Sequence, residues 1–300
     1  MSSVFISHSS ASAAAAARIE RAFAKAGFET WLDNSDLGLG TLLRNELNDA
    51  IQQSRAVVLV WSEPASRSRW VSAEVLTAFH MNRFILPCVT DDAPLPQFLS
   101  RSSYLDLRKA GEDGLRRLVR EAEKAPAQAN PLPPRVASPS AELKLAYNRL
   151  GRLQRDVIGP LMKRDIPAAA AAQARLEPEM TNAEQRWPFE LTILNLAGYH
   201  RKNGYLVKHW GAIQAGRPPS DPLLREGERF FFEAALVDPN DVTALNGLAS
   251  ILIYEFELDA ATLFNDRAIA LSEKQGIPYD EALHDRELIK WMRQQAALGR

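Results

Sequence analysis

The sequence predicts two domains, an α/β domain on a parallel five-stranded sheet and an all-α domain after it. Short apolar runs and helical patterns alternate five times in the first part, which is typical of a parallel sheet with helices on both faces. A stretch rich in Pro, Ala and Ser follows at 125–140, and strand signals largely vanish after it. We therefore expect domains at 1–124 and 141–300, joined by a linker at 125–140.

The elements of the first domain follow from local patterns. Its predicted strands are compact apolar runs, and Ala56–Trp61 has the composition of a strand buried on both faces. Its predicted helices carry apolar residues at helical spacing, and Gly27 ends the first of them. In chain order the predicted elements are the strand Val4–Ile6, the helix Ser12–Ala26, the strand Phe28–Leu32, the helix Leu42–Ile51, the strand Ala56–Trp61, the helix Trp70–His80, the strands Phe84–Val89 and Tyr104–Leu107, and the helix Glu112–Lys124.

The second part is predicted to be helical throughout. The predicted helices are Ala141–Lys163, Pro167–Leu176, Phe189–Arg201, Leu223–Leu236, Val242–Phe256 and Asp259–Glu273. Small and apolar residues have the spacing of one helix-turn-helix repeat of about 34 residues and of half a preceding one. These residues are Leu248, Ala249, Leu252, Ala261 and Ala268, and upstream Phe231, Ala234 and Pro239. In this pattern the part resembles the tetratricopeptide family, with Val207–Pro222 as an insertion that breaks the period. A generic helical bundle is the alternative.

Composition restricts the classes of function. The formal net charge of −1 gives no electrostatic reason to expect nucleic acid or an anionic membrane as partner. The single cysteine, Cys88, excludes an intrachain disulfide and is expected to be a buried, inert thiol because its neighbours are apolar. Five scattered histidines provide no zinc-binding spacing. No segment approaches the roughly 20 apolar residues that cross a bilayer, and the first residues lack the features of a signal peptide. We expect a cytoplasmic protein without a metal.

Several segments of the first domain carry a family resemblance through their order and spacing. They are Val4-Phe5-Ile6-Ser7-His8-Ser9, Gly27-Phe28, Trp31-Leu32-Asp33, Leu37–Gly40, Ala56–Trp61, Ser68–Glu74 and Ile85-Leu86-Pro87. With these segments the domain resembles the Toll/interleukin-1 receptor (TIR) family over its whole length. The resemblance implies a flavodoxin-like fold, with a mobile loop after Asp33 between the second strand and the second helix.

The resemblance also implies an activity. TIR domains are either adaptors or enzymes that cleave NAD+ between nicotinamide and ribose, and the enzymes carry a glutamate four residues after a tryptophan on the helix following the third strand. Trp70 and Glu74 match that pattern. One carboxylate suffices for this chemistry, because nicotinamide leaves as a neutral molecule and only the positive charge that develops on the ribose needs stabilisation. A solvated helix residue is the alternative for Glu74.

The candidate substrate-binding residues follow the strands, because ligands of such folds lie beyond the carboxyl ends of the strands. Hydroxyls and backbone N–H groups after the first strand can form hydrogen bonds with phosphate or ribose. Tryptophans can line the cleft or stack on an aromatic ring of the substrate. These candidates are Ser7, His8, Ser9, Trp31, Asp33, Leu39, Gly40 and Trp70. Each has a structural alternative, namely packing for the tryptophans, helix capping for Asp33 and turn geometry for Gly40. His8 is given no catalytic role. Some enzymes of the family carry arginines where this chain has Ser9 and Ser10.

The resemblance therefore predicts an NAD+ nucleosidase that releases nicotinamide and ADP-ribose or a cyclic ADP-ribose isomer. NAD+ is the substrate, no cofactor is expected, and self-association through the TIR domain would gate the activity. Such bacterial proteins act in antiphage defence or virulence, with the helical repeats as a sensor or assembly platform for a protein or peptide. The main alternative is a non-enzymatic adaptor that binds other TIR domains and a client. A weaker one is an enzyme acting on a different nucleotide.

Overall fold

The computed structural model of the protein describes residues 3–32, 45–125 and 139–297. The chain divides into two compact units, Met1–Pro134 and Arg135–Arg300. The first unit contains a parallel sheet with helices, and the second is helical, so the predicted order of an α/β part followed by an all-α part is confirmed. Within the described residues, no helix combines the length and the hydropathy needed to cross a membrane.

The first unit is built on a five-stranded parallel sheet with the strand order β2-β1-β3-β4-β5. The strands are β1 (Ser3–His8), β2 (Glu29–Leu32), β3 (Ala56–Trp61), β4 (Phe84–Val89) and β5 (Leu105–Asp106). This order is that of flavodoxin-like folds, which confirms the expected fold class. All six side chains of β3 are buried, because the strand lies in the middle of a sheet that is covered on both faces.

Helices cover the two faces of the sheet. They are α1 (Ala13–Lys25), α2 (Asn45–Gln53), α3 (Glu63–Ser66), α4 (Arg69–His80) and α5 (Glu112–Glu123). Even-numbered strand residues such as Val4, Ile6 and Val58 share one hydrophobic core with α1 and α5. Since side chains alternate along a strand, the odd-numbered residues face the other side, where α2 and α4 pack. The four-residue helix α3, which was not predicted from the sequence, follows β3.

The second unit consists of consecutive helices that pack on their neighbours in the chain. They are α6 (Ala141–Met162), α7 (Ile166–Arg186), α8 (Leu191–Gln214), α9 (Pro222–Val237), α10 (Val242–Tyr254), α11 (Leu258–Gln275) and α12 (Asp280–Ala297). Helix α12 was not predicted from the sequence, although its buried residues Ala282, Asp285, Ile289 and Met292 recur at helical spacing.

Two predicted boundaries in this unit were wrong. Helix α7 does not end at Leu176 but continues through Pro178 to Arg186, because Met180 and Ala183 are buried beyond the proline and their packing offsets its cost. The segment 207–222 was predicted to be an insertion. Its first part, up to Gln214, instead continues α8, where the fully buried Tyr205 holds the helix against its neighbours.

One ring joins the three helices α8, α9 and α10. Phe231 on α9 is fully buried, and its ring lies against Gly198 of α8 and Gly247 of α10. A Cβ atom at Gly247 would lie 2.2 Å from Cε1 of Phe231, so only glycine admits the ring there. The residues whose spacing suggested a repeat are fully buried as well: Leu248, Ala249, Leu252, Ala261 and Ala268. Their spacing therefore reflects core packing, and membership of the tetratricopeptide family stays a prediction.

Candidate active site

The carboxyl edge of the sheet has its switch point between β1 and β3, where the strand order reverses direction. His8 at the end of β1 is in register with Val60, next to the end of β3. In open α/β sheets, the crevice at such a point is where ligands bind. The loops after β1 and β3 are therefore the parts of the described chain that frame a site.

Three buried serines connect these two loops. Ser9 Oγ donates to Ser12 Oγ at 3.5 Å, and Ser12 Oγ lies 3.2 Å from Ser62 Oγ across the switch point. Ser62 Oγ in turn accepts from the backbone N–H of Ala65 at 3.2 Å and so caps α3. Each of the three serines is less than a tenth exposed. The predicted site residue Ser9 is thus held in a structural chain, and the sequence analysis did not identify Ser12 and Ser62 as its partners.

Ser7 and His8 lie on opposite faces of the sheet. Val60, the register partner of His8, belongs to the core shared with α1 and α5, so His8 shares that face. Ser7, one residue earlier, faces the side of α2 and α4. Both are buried, and neither Ser7 Oγ nor His8 Nδ1 has a hydrogen-bond partner within the residues that the structure describes. Only Ser7 shares the α4 side of the sheet.

Glu74 lies on α4 and is 1% exposed. The helix begins shortly after β3, with Ser68 Oγ accepting from the N–H of Val71 at 3.4 Å, and Glu74 lies roughly 8 Å along it from that start. The neighbours Ala73 and Val75 are fully buried as well, so this part of α4 lies inside the first unit. The alternative of a solvated helix residue is therefore wrong. Burying a carboxyl is costly, so its retention points to a specific role.

The two tryptophans among the predicted site residues lie on the α4 side of the sheet. Trp70 is half-buried one helical turn before Glu74, on the same face of α4, and the Arg69 guanidinium lies 6.0 Å from its ring centroid. Trp31 on the edge strand β2 is 49% exposed. It is in register with Phe5, an odd-numbered residue of β1, so its side chain is on the α4 side of the sheet. The other predicted site residues, Asp33, Leu39 and Gly40, lie outside the described residues.

The acidic side chains at the β4 and β5 end of this edge are engaged in structure. The Asp91 carboxylate accepts from the backbone N–H of Glu63 at 2.8 Å and from that of Ala93 at 2.9 Å. Arg108 donates to Asp106 at 2.9 Å and to Asp92 at 2.6 Å, and its hydrogen bond lowers the pKa of the Asp106 carboxyl. Among the described residues, no group of three His, Cys, Asp or Glu side chains is placed to hold a metal ion.

A comparison with protein-family models agrees with this architecture. Residues 4–119 match the family model of the TIR domain. Among solved structures, the chain is similar to the TIR domains of the activated Roq1 resistosome directly recognizing the pathogen effector XopQ. That match has 20% sequence identity, covers 42% of this chain and 83% of that chain, and has a TM-score of 0.30. No curated protein matches the chain.

Proposed function

The N-terminal unit of this protein is a TIR domain, and from that premise we propose that it cleaves NAD+ between nicotinamide and ribose with Glu74 as the catalytic carboxylate. The products would be nicotinamide and either ADP-ribose or a cyclic ADP-ribose isomer. The observation that carries the proposal is the burial of Glu74 on α4, at the side of the sheet that Ser7 and Trp31 also face. An ordinary surface helix would present a glutamate to water.

The proposed reaction suits a single buried carboxylate. The bond between C1′ of the ribose and the nicotinamide nitrogen breaks, and its electron pair leaves with nicotinamide, which becomes neutral. Positive charge remains on the ribose ring, where a carboxylate shielded from bulk water stabilises it more strongly than one in water. Water then adds to C1′ and loses a proton, or a nitrogen of the adenine adds to give the cyclic product.

The other predicted site residues have different roles in the proposed reaction. Ser7 has a buried hydroxyl on the α4 side, and we propose that it donates a hydrogen bond to the ribose and that Trp70 stacks on a ring of the substrate. We expect His8 to act at most from the opposite face, and Ser9 to shape the loop. Asp33, Leu39 and Gly40 lie outside the described residues, and their part in substrate binding stays a proposal from the family resemblance.

We also propose that self-association of TIR domains switches the enzyme on. The helical unit would then sense a protein or peptide, or hold the assembly together, in bacterial defence or virulence. This arrangement predicts activity that rises faster than linearly with protein concentration. A free enzyme that consumed a central metabolite without such control would be harmful to its own cell.

The test is turnover of NAD+ by the full-length protein at high concentration. Nicotinamide and ADP-ribose products would be separated by chromatography for the wild type, Glu74→Gln and Glu63→Gln. Glu63 is a matched control, because it follows the same strand, carries the same charge and is exposed. We expect turnover by the wild type and by Glu63→Gln, and none by Glu74→Gln.

Two results would contradict the proposal. Equal turnover by the wild type and Glu74→Gln would remove Glu74 from the chemistry. Absence of turnover at every concentration, including in a crowding agent that forces assembly, would favour the adaptor function. Circular dichroism of each variant would exclude loss of fold as the cause.

A further inference from the structure

Helix α6 carries a basic stripe on its outer surface. The stripe is formed by residues spaced about one turn apart along the helix: Lys144, Asn148, Arg152, Arg155, Ile158 and Met162. Its opposite face, with Leu143, Leu150 and Val157, is buried in the second unit. The stripe runs roughly 27 Å along the helix. Although the net charge of the chain is near zero, positive charge is thus concentrated locally on this surface of α6.

Among the residues that the structure describes, the cations of the basic stripe have no acidic partners, whereas the charged residues next to the stripe form ion pairs. On the flank towards α7, Arg149 pairs with Glu179, and Glu142 pairs with Arg186. Within the described part of the chain, Lys144, Arg152 and Arg155 form no ion pair. The remaining acid of α6, Asp156, lies one turn after Arg152, between the stripe and the paired flank, and forms no ion pair with Arg152 in the described part of the chain. The stripe therefore carries an excess of positive charge over its first three turns, from Lys144 to Arg155.

Apolar side chains project from the same surface. Met162 is 81% exposed, Leu145 beside the stripe is 69% exposed, and Ile158 is 40% exposed. Such high exposure means that these side chains protrude and do not line a groove. Protruding apolar side chains spaced among cations suit insertion between lipid headgroups, because the surrounding lipids adapt to each side chain.

We propose that the basic stripe of α6 binds the surface of an anionic lipid bilayer, with the cations at the lipid headgroups and the methionine and leucine dipping between them. The charge complementarity selects anionic lipids, and the mixture of cations with protruding apolar side chains selects a bilayer over a soluble anion. Binding of this kind places the protein on a membrane without any segment crossing it.

The experiment is co-sedimentation of the full-length protein with vesicles of phosphatidylcholine, with and without phosphatidylserine, at low and high salt. The variants are Arg152→Gln/Arg155→Gln, Met162→Ser and, as a matched control on the paired flank, Arg149→Gln. We expect binding only to vesicles that contain phosphatidylserine, and its loss at high salt. The double variant should bind about 25-fold more weakly, at about fivefold for each cation, and Met162→Ser should also bind more weakly.

Arg149→Gln should stay close to the wild type, because its partner Glu179 already offsets its charge. Equal binding to both kinds of vesicle, or equal losses in Arg149→Gln and the double variant, would overturn the proposal. Binding to soluble polyglutamate but not to vesicles would identify an acidic polypeptide as the partner and would also overturn it. The result does not depend on NAD+ turnover, so it is independent of the proposed function.

Discussion

Replacement of Gly247 by alanine tests whether the ring of Phe231 locks α8, α9 and α10 together. A Cβ at Gly247 would lie 2.2 Å from the ring, where ordinary contact begins near 3.4 Å, so the ring would have to move by more than 1 Å. It has no room to do so, because a Cβ built at Gly198 on α8 would already lie 2.7 Å from the same ring. Overpacking of this severity costs about 3 kcal/mol, and alanine returns about 1 kcal/mol through helix propensity. The net destabilisation is therefore about 2 kcal/mol.

Urea unfolding followed by far-ultraviolet circular dichroism measures this change, because most of the helix belongs to the second unit. A loss of about 2 kcal/mol lowers the urea midpoint of that unit by about 1 M. Gly211→Ala is the matched control, since a Cβ there meets nothing within 4 Å, and it should unfold at the same or a slightly higher urea concentration. Phe231→Leu in the Gly247→Ala background should recover part of the loss. If Gly247→Ala proved as stable as the wild type, the packing argument would be refuted.

Three further predictions follow from buried groups. Burial raises the pKa of the Cys88 thiol to about 12, so a chromogenic thiol reagent should label it only after denaturation, and rapid labelling of the folded protein would contradict its burial. Desolvation lowers the pKa of His200 below its ordinary 6.5, so the unfolded chain takes up a proton that the folded chain refuses. Stability should therefore fall as the pH drops below about 6.5, and His200→Gln should flatten that dependence in urea unfolding measured across pH. Asp221 caps α9 at the N–H of Leu223 and accepts from Lys208, so Asp221→Ala should cost about 2 kcal/mol in the same assay, while an unchanged midpoint would show that the cap is dispensable.

The sequence predicted the bounds of an element correctly where a local pattern alone determines that element. The bounds of β3 and β4 agree with the prediction, because each is a compact apolar run in a buried parallel strand. The end of α8 could not be predicted in the same way. The residues that extend it include a buried tyrosine, Tyr205, whose hydroxyl donates to the backbone oxygen of Pro219 across a turn of the chain. Local polarity gives no sign of such a contact.

In the candidate site, too, local sequence patterns predicted some features, whereas others depend on contacts between distant parts of the chain. The spacing of Trp70 and Glu74 indicated Glu74 as the candidate catalytic residue through family resemblance, but its near-complete burial depends on how α4 packs against the sheet. The contact between Ser12 and Ser62 joins residues 50 positions apart, and it exists only because β1 and β3 are neighbours. The separation of Ser7 from His8 follows from strand alternation once the partner helices of each face are known.

The three serines at the switch point bring three hydroxyl protons for only two contacts among themselves. Whichever way the Ser12 and Ser62 hydroxyls turn, one proton of the chain is directed at an acceptor other than these serines. The three serines therefore add hydrogen-bonding capacity to this edge of the sheet without adding charge. An arginine at the same place would attract every anion and would weaken as salt rises, whereas a hydroxyl donor keeps its strength across salt and pH and distinguishes acceptors by geometry alone.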